Sequence, residues 1–326
     1  MNVVAEKLIL IAIVLFVILN LAGFLIWVER RLLALLQDRL GPNRAGPLGL
    51  FIIAADIIKI FTKEDWIPPG ADKAVFVAAP MIIMVTSLLS FSIIPFGPGL
   101  VIFDFDIGVL LFLGLSSMGI YNVILAGWSS NNNYALLGGL RMAAQMFSYE
   151  VFMGLSLMGV VTLAGSFNLT RIVEAQQGGW FIVPQFFGFL IFFIAALGET
   201  HRLPFDMPEA ESELVAGYHT EYSSMKFGMF FVGEYIGVTL FSALMTTFFF
   251  GGWLGPGLPP VVWFCLKTTV FIVAFIVLRA ALPRPRYDQL FSFGWKFILP
   301  AALLNLLATG AVVLARAGSA GGPTAS

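Results

Sequence analysis

Eight stretches of the chain are long and almost wholly apolar: 8–28, 74–95, 107–127, 142–165, 181–198, 227–250, 261–282 and 297–315. A helix needs ~20 such residues to cross ~30 Å of hydrocarbon, and helices satisfy their own backbone hydrogen bonds there. Glycine and proline clusters punctuate the runs, as in Phe96-Gly97-Pro98-Gly99 and Gly251 to Gly257. The pattern predicts an all-α polytopic membrane protein with eight transmembrane helices. A ninth apolar run, 48–60, is too short to span and reads as an interfacial helix, with Asp56 and Lys59 three apart on one face. Residues 1–316 form a single transmembrane domain on this reading. The small, polar tail 317–326 reads as disordered.

The first run is too long for the core of a cleaved leader, and Glu29-Arg30-Arg31 follows it without a small-residue cleavage site, so it is expected to stay in the protein. An even number of spans puts both termini on one side. Fourteen of the 18 Lys and Arg residues fall in the segments after the first, third, fifth and seventh runs or, for Arg279, in the last turn of the seventh, against three on the opposite side. By the positive-inside rule those segments face the cytoplasm and both termini face outward.

Composition narrows the function. The chain is 59% hydrophobic and 11% charged, with mean hydropathy +0.93; soluble domains carry about 25% charged residues. The net charge of −1 offers no basic surplus for nucleic acid. One cysteine, Cys265, and two histidines, His201 and His219, are too few for an iron–sulfur cluster or a conventional structural zinc site, so no metal site is expected. No GxGxxG or Walker loop is present. Electron transfer would have to use cofactors on another chain.

Charges inside the runs carry the chemical information, because a central acid or base costs ~2.5–3.5 kcal/mol on insertion scales. Glu150 and Glu234 lie about two turns into the fourth and sixth runs, and Lys267 two turns into the seventh. Proton handling and plain helix–helix contact are both open for the glutamates, with proton handling favoured; Lys267 reads as a buried contact snorkelling outward. The segment 199–226 holds six acids (Glu199, Asp206, Glu209, Glu211, Glu213, Glu221) against Arg202 and Lys226, on the side where positive charge is the rule. Asp206 to Glu209, with Pro208, has capping-box spacing. Glu209 and Glu213, four apart, are a like-charge pair. A solvated acidic loop and a proton-loading cluster both fit.

The strings ERRLLALLQDRLGPNRAGPLG (29–49), ADIIKIFTKED (55–65), YALLGGLRMAAQMFSYE (134–150), ETHRLPFDMPEAESELVAGYHTEYSSMKFG (199–228) and RPRYDQLFSFGWKFILP (284–300) resemble the H-subunit family of proton-pumping NADH–quinone oxidoreductase, respiratory complex I. The resemblance runs from about residue 8 to residue 315. It implies a component of a bacterial inner-membrane translocase that binds quinone (ubiquinone or menaquinone) as substrate and has no redox cofactor of its own. FMN and iron–sulfur clusters would sit on partner subunits of the peripheral arm, and small and antiporter-like membrane subunits would be neighbours, with lipid around them. It places Arg30, Arg39, Arg44, Asp56, Arg141, Arg284 and Arg286 around the quinone chamber or arm junction. Glu150, Glu234, Glu213, Glu221 and Glu209 become a proton relay. The sequence departs from the family pattern at Ile52 and Ile53 (commonly Gln-Pro), at Asn133 (often Lys) and at His201 (usually small or amide). The membrane component of a related proton-pumping hydrogenase and a stand-alone transporter are the rival readings; the GPNR and RYDQL strings favour complex I, and no inverted repeat supports a transporter.

Overall fold

The computed structural model describes residues 3–206 and 216–320. Among these residues the regular structure is helical, without a β-strand. The helices are α1 (Val3–Leu36), α2 (Ile52–Thr62), α3 (Lys73–Ser90), α4 (Gly108–Ser129), α5 (Asn133–Ala164), α6 (Leu169–Glu174), α7 (Phe186–Glu199), α8 (Ser224–Phe249), α9 (Pro260–Ala281), α10 (Tyr287–Phe293) and α11 (Leu299–Ala320). A π-helical turn, Gly294–Ile298, joins the last two.

Seven of the described helical runs are long and apolar enough to cross a membrane: α1, α3, α4, α5, α8, α9 and the continuous α10–α11 stretch. The run at 181–198 differs from the expected span. It yields the 14-residue α7, because Pro184 disfavours helical backbone at the residue before it and residues 181–185 turn instead. The 48–60 run becomes a short 3-10 turn, Pro47–Gly49, and the 11-residue α2, none of whose residues is buried.

Two helices begin or end well beyond the apolar core that announces them. α1 continues through Glu29-Arg30-Arg31 to Leu36, since Glu, Arg, Leu and Ala are good helix formers and no breaker occurs before Gly41-Pro42. α5 starts nine residues before the expected 142. The Asn132 side chain caps it by accepting a hydrogen bond from Tyr134 N at 2.9 Å, and Gly165 (φ 66°) closes it. Glu150 therefore lies near the middle of a 32-residue helix. The last helix reaches Ala320, into the tail read as disordered; residues 321–326 lie outside the described residues.

α5 and α8 form the centre. α5 packs on α4, α7 and α11; α8 packs on α3, α9 and α1. Buried hydroxyls on α8 are satisfied within the helix: Ser242 donates to Val238 O at 2.7 Å and Thr246 to Ser242 O at 3.0 Å. Lys267 does not snorkel. It is 7% exposed and its ammonium donates to the carbonyls of Phe250, Gly252 and Leu254 at 2.6, 3.1 and 2.6 Å, so α9 fastens the turn after α8.

Close approach sets the inner layer. A Cβ on Gly138 of α5 would stand 2.8 Å from the Gly217 Cα, and one on Gly127 of α4 2.6 Å from the Ala135 carbonyl oxygen. Backbone cannot swing aside as a side chain can. Gly138→Ala is expected to destabilise the protein by about 1–3 kcal/mol, the usual cost of overpacking, read as a lower thermal midpoint in detergent; an unchanged midpoint would show that the segment around Gly217 yields freely.

Candidate functional site

Four elements bring charged groups together inside the bundle. Glu29 of α1 is 5% exposed and Arg202, just after α7, is 6% exposed. Arg202 Nη1 donates to both Glu29 carboxylate oxygens at 3.1 and 3.0 Å. Arg279 of α9 pairs with the same carboxylate. The Arg202 guanidinium lies 4.2 Å from the ring centroid of Tyr235 on α8, and its Nη2 is 4.0 Å from Glu234 Oε2. Burial opposes the charge of Arg202; Glu29, Tyr235 and Glu234 outweigh it and hold the guanidinium above its ordinary pKa.

A second group of acids adjoins this cluster. Glu150 of α5 accepts a hydrogen bond from Ser117 of α4, and Glu199 at the end of α7 accepts one from Ser116 at 2.9 Å. A cavity of about 70 Å³ has Ser116, Glu199, His201 and Glu234 in its wall, with Phe112 and Phe241. That volume exceeds the need of one water, and the wall offers the polar partners a water requires. The order Glu150, Ser117 and Ser116, Glu199, cavity, Glu234, Arg202, Glu29 is thus a polar track through an otherwise apolar bundle.

The loop that carries Arg202 is anchored by Gln145 of α5, whose amide donates to Gly198 O and Phe205 O at 2.9 and 2.8 Å. His201 in this loop is 9% exposed and has φ 54°. Burial, helped by Arg202, pushes its pKa down to about 3. Burial also pushes His219 down to about 4. Both rings are neutral near pH 7, and no group of three or more candidate metal ligands occurs among the described residues.

A different space opens between α1, α2 and α8. It has a volume of about 450 Å³, within the range of ligand pockets, and its wall includes Gly23, Trp27, Ile53, Phe227 and Phe231. Arg30 and Asp56 line it and pair at 2.7 Å. Asp56 also binds Lys59 at 3.2 Å, as their spacing predicts.

The other residues singled out in the sequence lie elsewhere. Arg39 is exposed and donates to Gln37 at 2.8 Å; Arg44 is exposed. Arg141 faces the Tyr287 ring at 5.7 Å, which ties α5 to α10. Arg284 is half-buried, and Arg286 pairs with Asp288 at 3.2 Å at the start of α10. Glu221 accepts from Asn132 at 2.7 Å beside an open polar pocket of about 370 Å³. Glu209 and Glu213 lie outside the described residues. Sequence reasoning missed Glu29, Glu199, Arg202 and Arg279 as a constellation. The one available signal was their opposite charges at the ends of three apolar runs.

A model of the NADH dehydrogenase family matches residues 8–310. The chain belongs to the NADH dehydrogenase family. The H subunit of the NADH-quinone oxidoreductase of Methylococcus capsulatus is 65% identical over 294 residues, covering 90% of this chain and 93% of that protein. The family match takes in every element of the polar track and the whole wall of the α1–α2–α8 pocket.

The neutral His201 has a measurable consequence. The folded ring stays unprotonated down to about pH 3, whereas an unfolded histidine takes a proton near 6.5. The unfolded chain binds more protons between those values, so stability rises with pH there and is lost as pH falls below about 6.5. His201→Asn, which tolerates the positive φ, is expected to remove this contribution, up to ~1.4 kcal/mol per pH unit. The check is the slope of the thermal midpoint against pH between 6.5 and 4; an identical slope in the variant counts against a buried neutral ring.

Proposed function

We propose that this chain is the H subunit of a bacterial inner-membrane NADH–quinone oxidoreductase, that the α1–α2–α8 pocket receives quinone, and that the buried acids carry protons. The polar track is the observation that carries the relay. Reducing a quinone by two electrons requires two protons, and in a site of low dielectric that demand acts strongly on nearby carboxylates. Glu234 would receive the signal, and Glu199 and Glu150 would pass protons along the serine-lined interface of α4, α5 and α7. Glu221, Glu209 and Glu213 would load the track from the loop before α8.

The mostly apolar pocket wall suits an isoprenoid chain, whose burial yields ~0.8 kcal/mol per CH₂, and the Arg30–Asp56 pair marks the polar rim. Arg39, Arg44, Arg284 and Arg286 suit an arm junction. Arg141, with Tyr287, would brace that junction from within the bundle. In this reading α7 is a short eighth span, α2 lies in the interface, residues 1–316 act as one transmembrane unit and both termini face outward. FMN and the iron–sulfur clusters belong to peripheral-arm partners, and antiporter-like subunits accept the protons.

Two outcomes are expected in the assembled complex in vesicles. Glu150→Gln, Glu199→Gln and Glu234→Gln each lose most of the proton translocation per NADH oxidised, measured by a pH-sensitive dye, while the complex still assembles; normal pumping in all three would sink the relay. Gly23→Leu fills the pocket, where a Cβ added at this position would stand 3.8 Å from the Ile53 side chain. It is expected to raise the quinone KM about tenfold, equivalent to ~1.4 kcal/mol of binding, and to leave electron transfer from NADH to ferricyanide intact. An unchanged KM would place quinone elsewhere.

A further inference from the structure

We infer that Arg202 is the positioning residue of the relay: pinned by Glu29 and Arg279, its guanidinium sets whether Glu234 carries a charge. The inference rests on the relay proposed above and assigns roles the relay itself leaves open.

The two ends of the guanidinium are unlike. Nη1 is fully engaged by the Glu29 carboxylate. Nε and Nη2 are buried and reach no carboxylate or carbonyl acceptor among the described residues; the Tyr235 hydroxyl is their neutral neighbour, and Nη2 stands 4.0 Å from Glu234. That gap is beyond a hydrogen bond and within ion-pair range. Arg202 therefore has one permanent partner and one conditional partner. An ionised Glu234 meets the spare N–H groups; a protonated Glu234 leaves them facing a neutral acid.

Glu29 is the permanent partner because two arginines share it. Both of its carboxylate oxygens are committed to guanidinium groups, so Glu29 does not serve as a carrier. Arg279, on α9, in turn holds Glu29 on α1, and a small cavity of about 10 Å³ lies beside Glu29, Arg202, Tyr235 and Arg279. The charges of the cluster balance when Glu234 is ionised and leave one positive charge when it is protonated. The other titratable groups facing Glu234 or Arg202 are Tyr235 on α8, His201 in the same loop and Glu199 on α7. His201 is neutral, and Glu199 lies across the cavity.

The arrangement predicts shifts of opposite sign in the pH profile of proton translocation, measured with the assembled complex in vesicles. The limb of interest is the one that Glu234→Gln abolishes. Glu29→Gln frees the charge of Arg202 to act on Glu234 alone, so the ionised acid is favoured and the limb moves to lower pH. Arg202→Gln removes that charge and moves the limb to higher pH. Each shift is expected to be about one pH unit or more, as for a charge within ~4–6 Å. Glu29→Asp is expected to bring the limb back toward its original position. Should Arg202→Gln fail to assemble, Glu29→Gln and Glu29→Asp decide by themselves. A brace without electrostatic control would lower the rate in Glu29→Gln and leave the limb at its original pH, and that result overturns the inference while the relay stands. Persistence of the limb in Glu234→Gln overturns both.

Discussion

The bundle is organised around a charge that has to be met inside an apolar interior. Arg202 follows α7 directly and points inward, where an unpaired guanidinium costs several kcal/mol. Its partner comes from α1, the holder of that partner from α9, and the ring against it from α8. Four segments that are distant in sequence are thereby fixed in one register. Removing one member of such a set leaves an uncompensated buried charge, which costs ~3–5 kcal/mol. The same requirement explains the carbonyls around Lys267 and the amide of Gln145 on the loop carbonyls. The Lys267 ammonium and the Gln145 amide nitrogen thus sit where another part of the chain satisfies them.

Much of this architecture was legible in hydropathy. Seven of the eight apolar runs become helices long enough to span, and the Asp56–Lys59 pair follows from its spacing. The misreadings share a cause. Apolarity reports where hydrocarbon contact ends, whereas helices end where backbone hydrogen bonding does. α1 therefore continues past Trp27 through charged helix formers, and α5 begins at the Asn132 cap, nine residues before its apolar core. Pro184 shortens α7 for a backbone reason invisible to a hydropathy window. The charged cluster was the least legible feature. Glu29, Arg202 and Arg279 flank apolar runs and look individually like surface anchors; only the packing of α1, α8 and α9 turns them inward.

Five of the six arginines expected around the chamber or the arm junction divide into two populations, with the half-buried Arg284 between them. Arg30 enters the pocket through its pair with Asp56, and Arg141 is spent within the bundle against Tyr287. Arg39, Arg44 and Arg286 are exposed. Nothing in the interior of a single chain requires these last three, and as membrane-surface anchors they would not need to gather in the GPNR and RYDQL loops. Exposed arginines after α1, which walls the pocket, and at the start of α10 fit a surface completed by another chain, in keeping with the proposed arm junction.

The pocket and the polar track are separate spaces with two shared walls. α1 presents Gly23, Ile26, Trp27 and Arg30 to the pocket, and Leu25 and Glu29 to the charged cluster. α8 presents Phe227, Phe231 and Val232 to the pocket, and Glu234 and Tyr235 to the cavities behind it. Adjacent residues on a helix point ~100° apart at 3.6 residues per turn, so Glu29 and Arg30 face different spaces while moving as one body. A ligand that displaces α1 at the pocket must carry the Glu29 carboxylate with it. Arg202, bound to Glu29 more closely than to Glu234, would on the proposed reading then change its distance to Glu234. On the proposed reading, coupling between quinone and proton needs no continuous water wire between the two spaces. It needs a stiff helix with a ligand on one face and a carboxylate on the next.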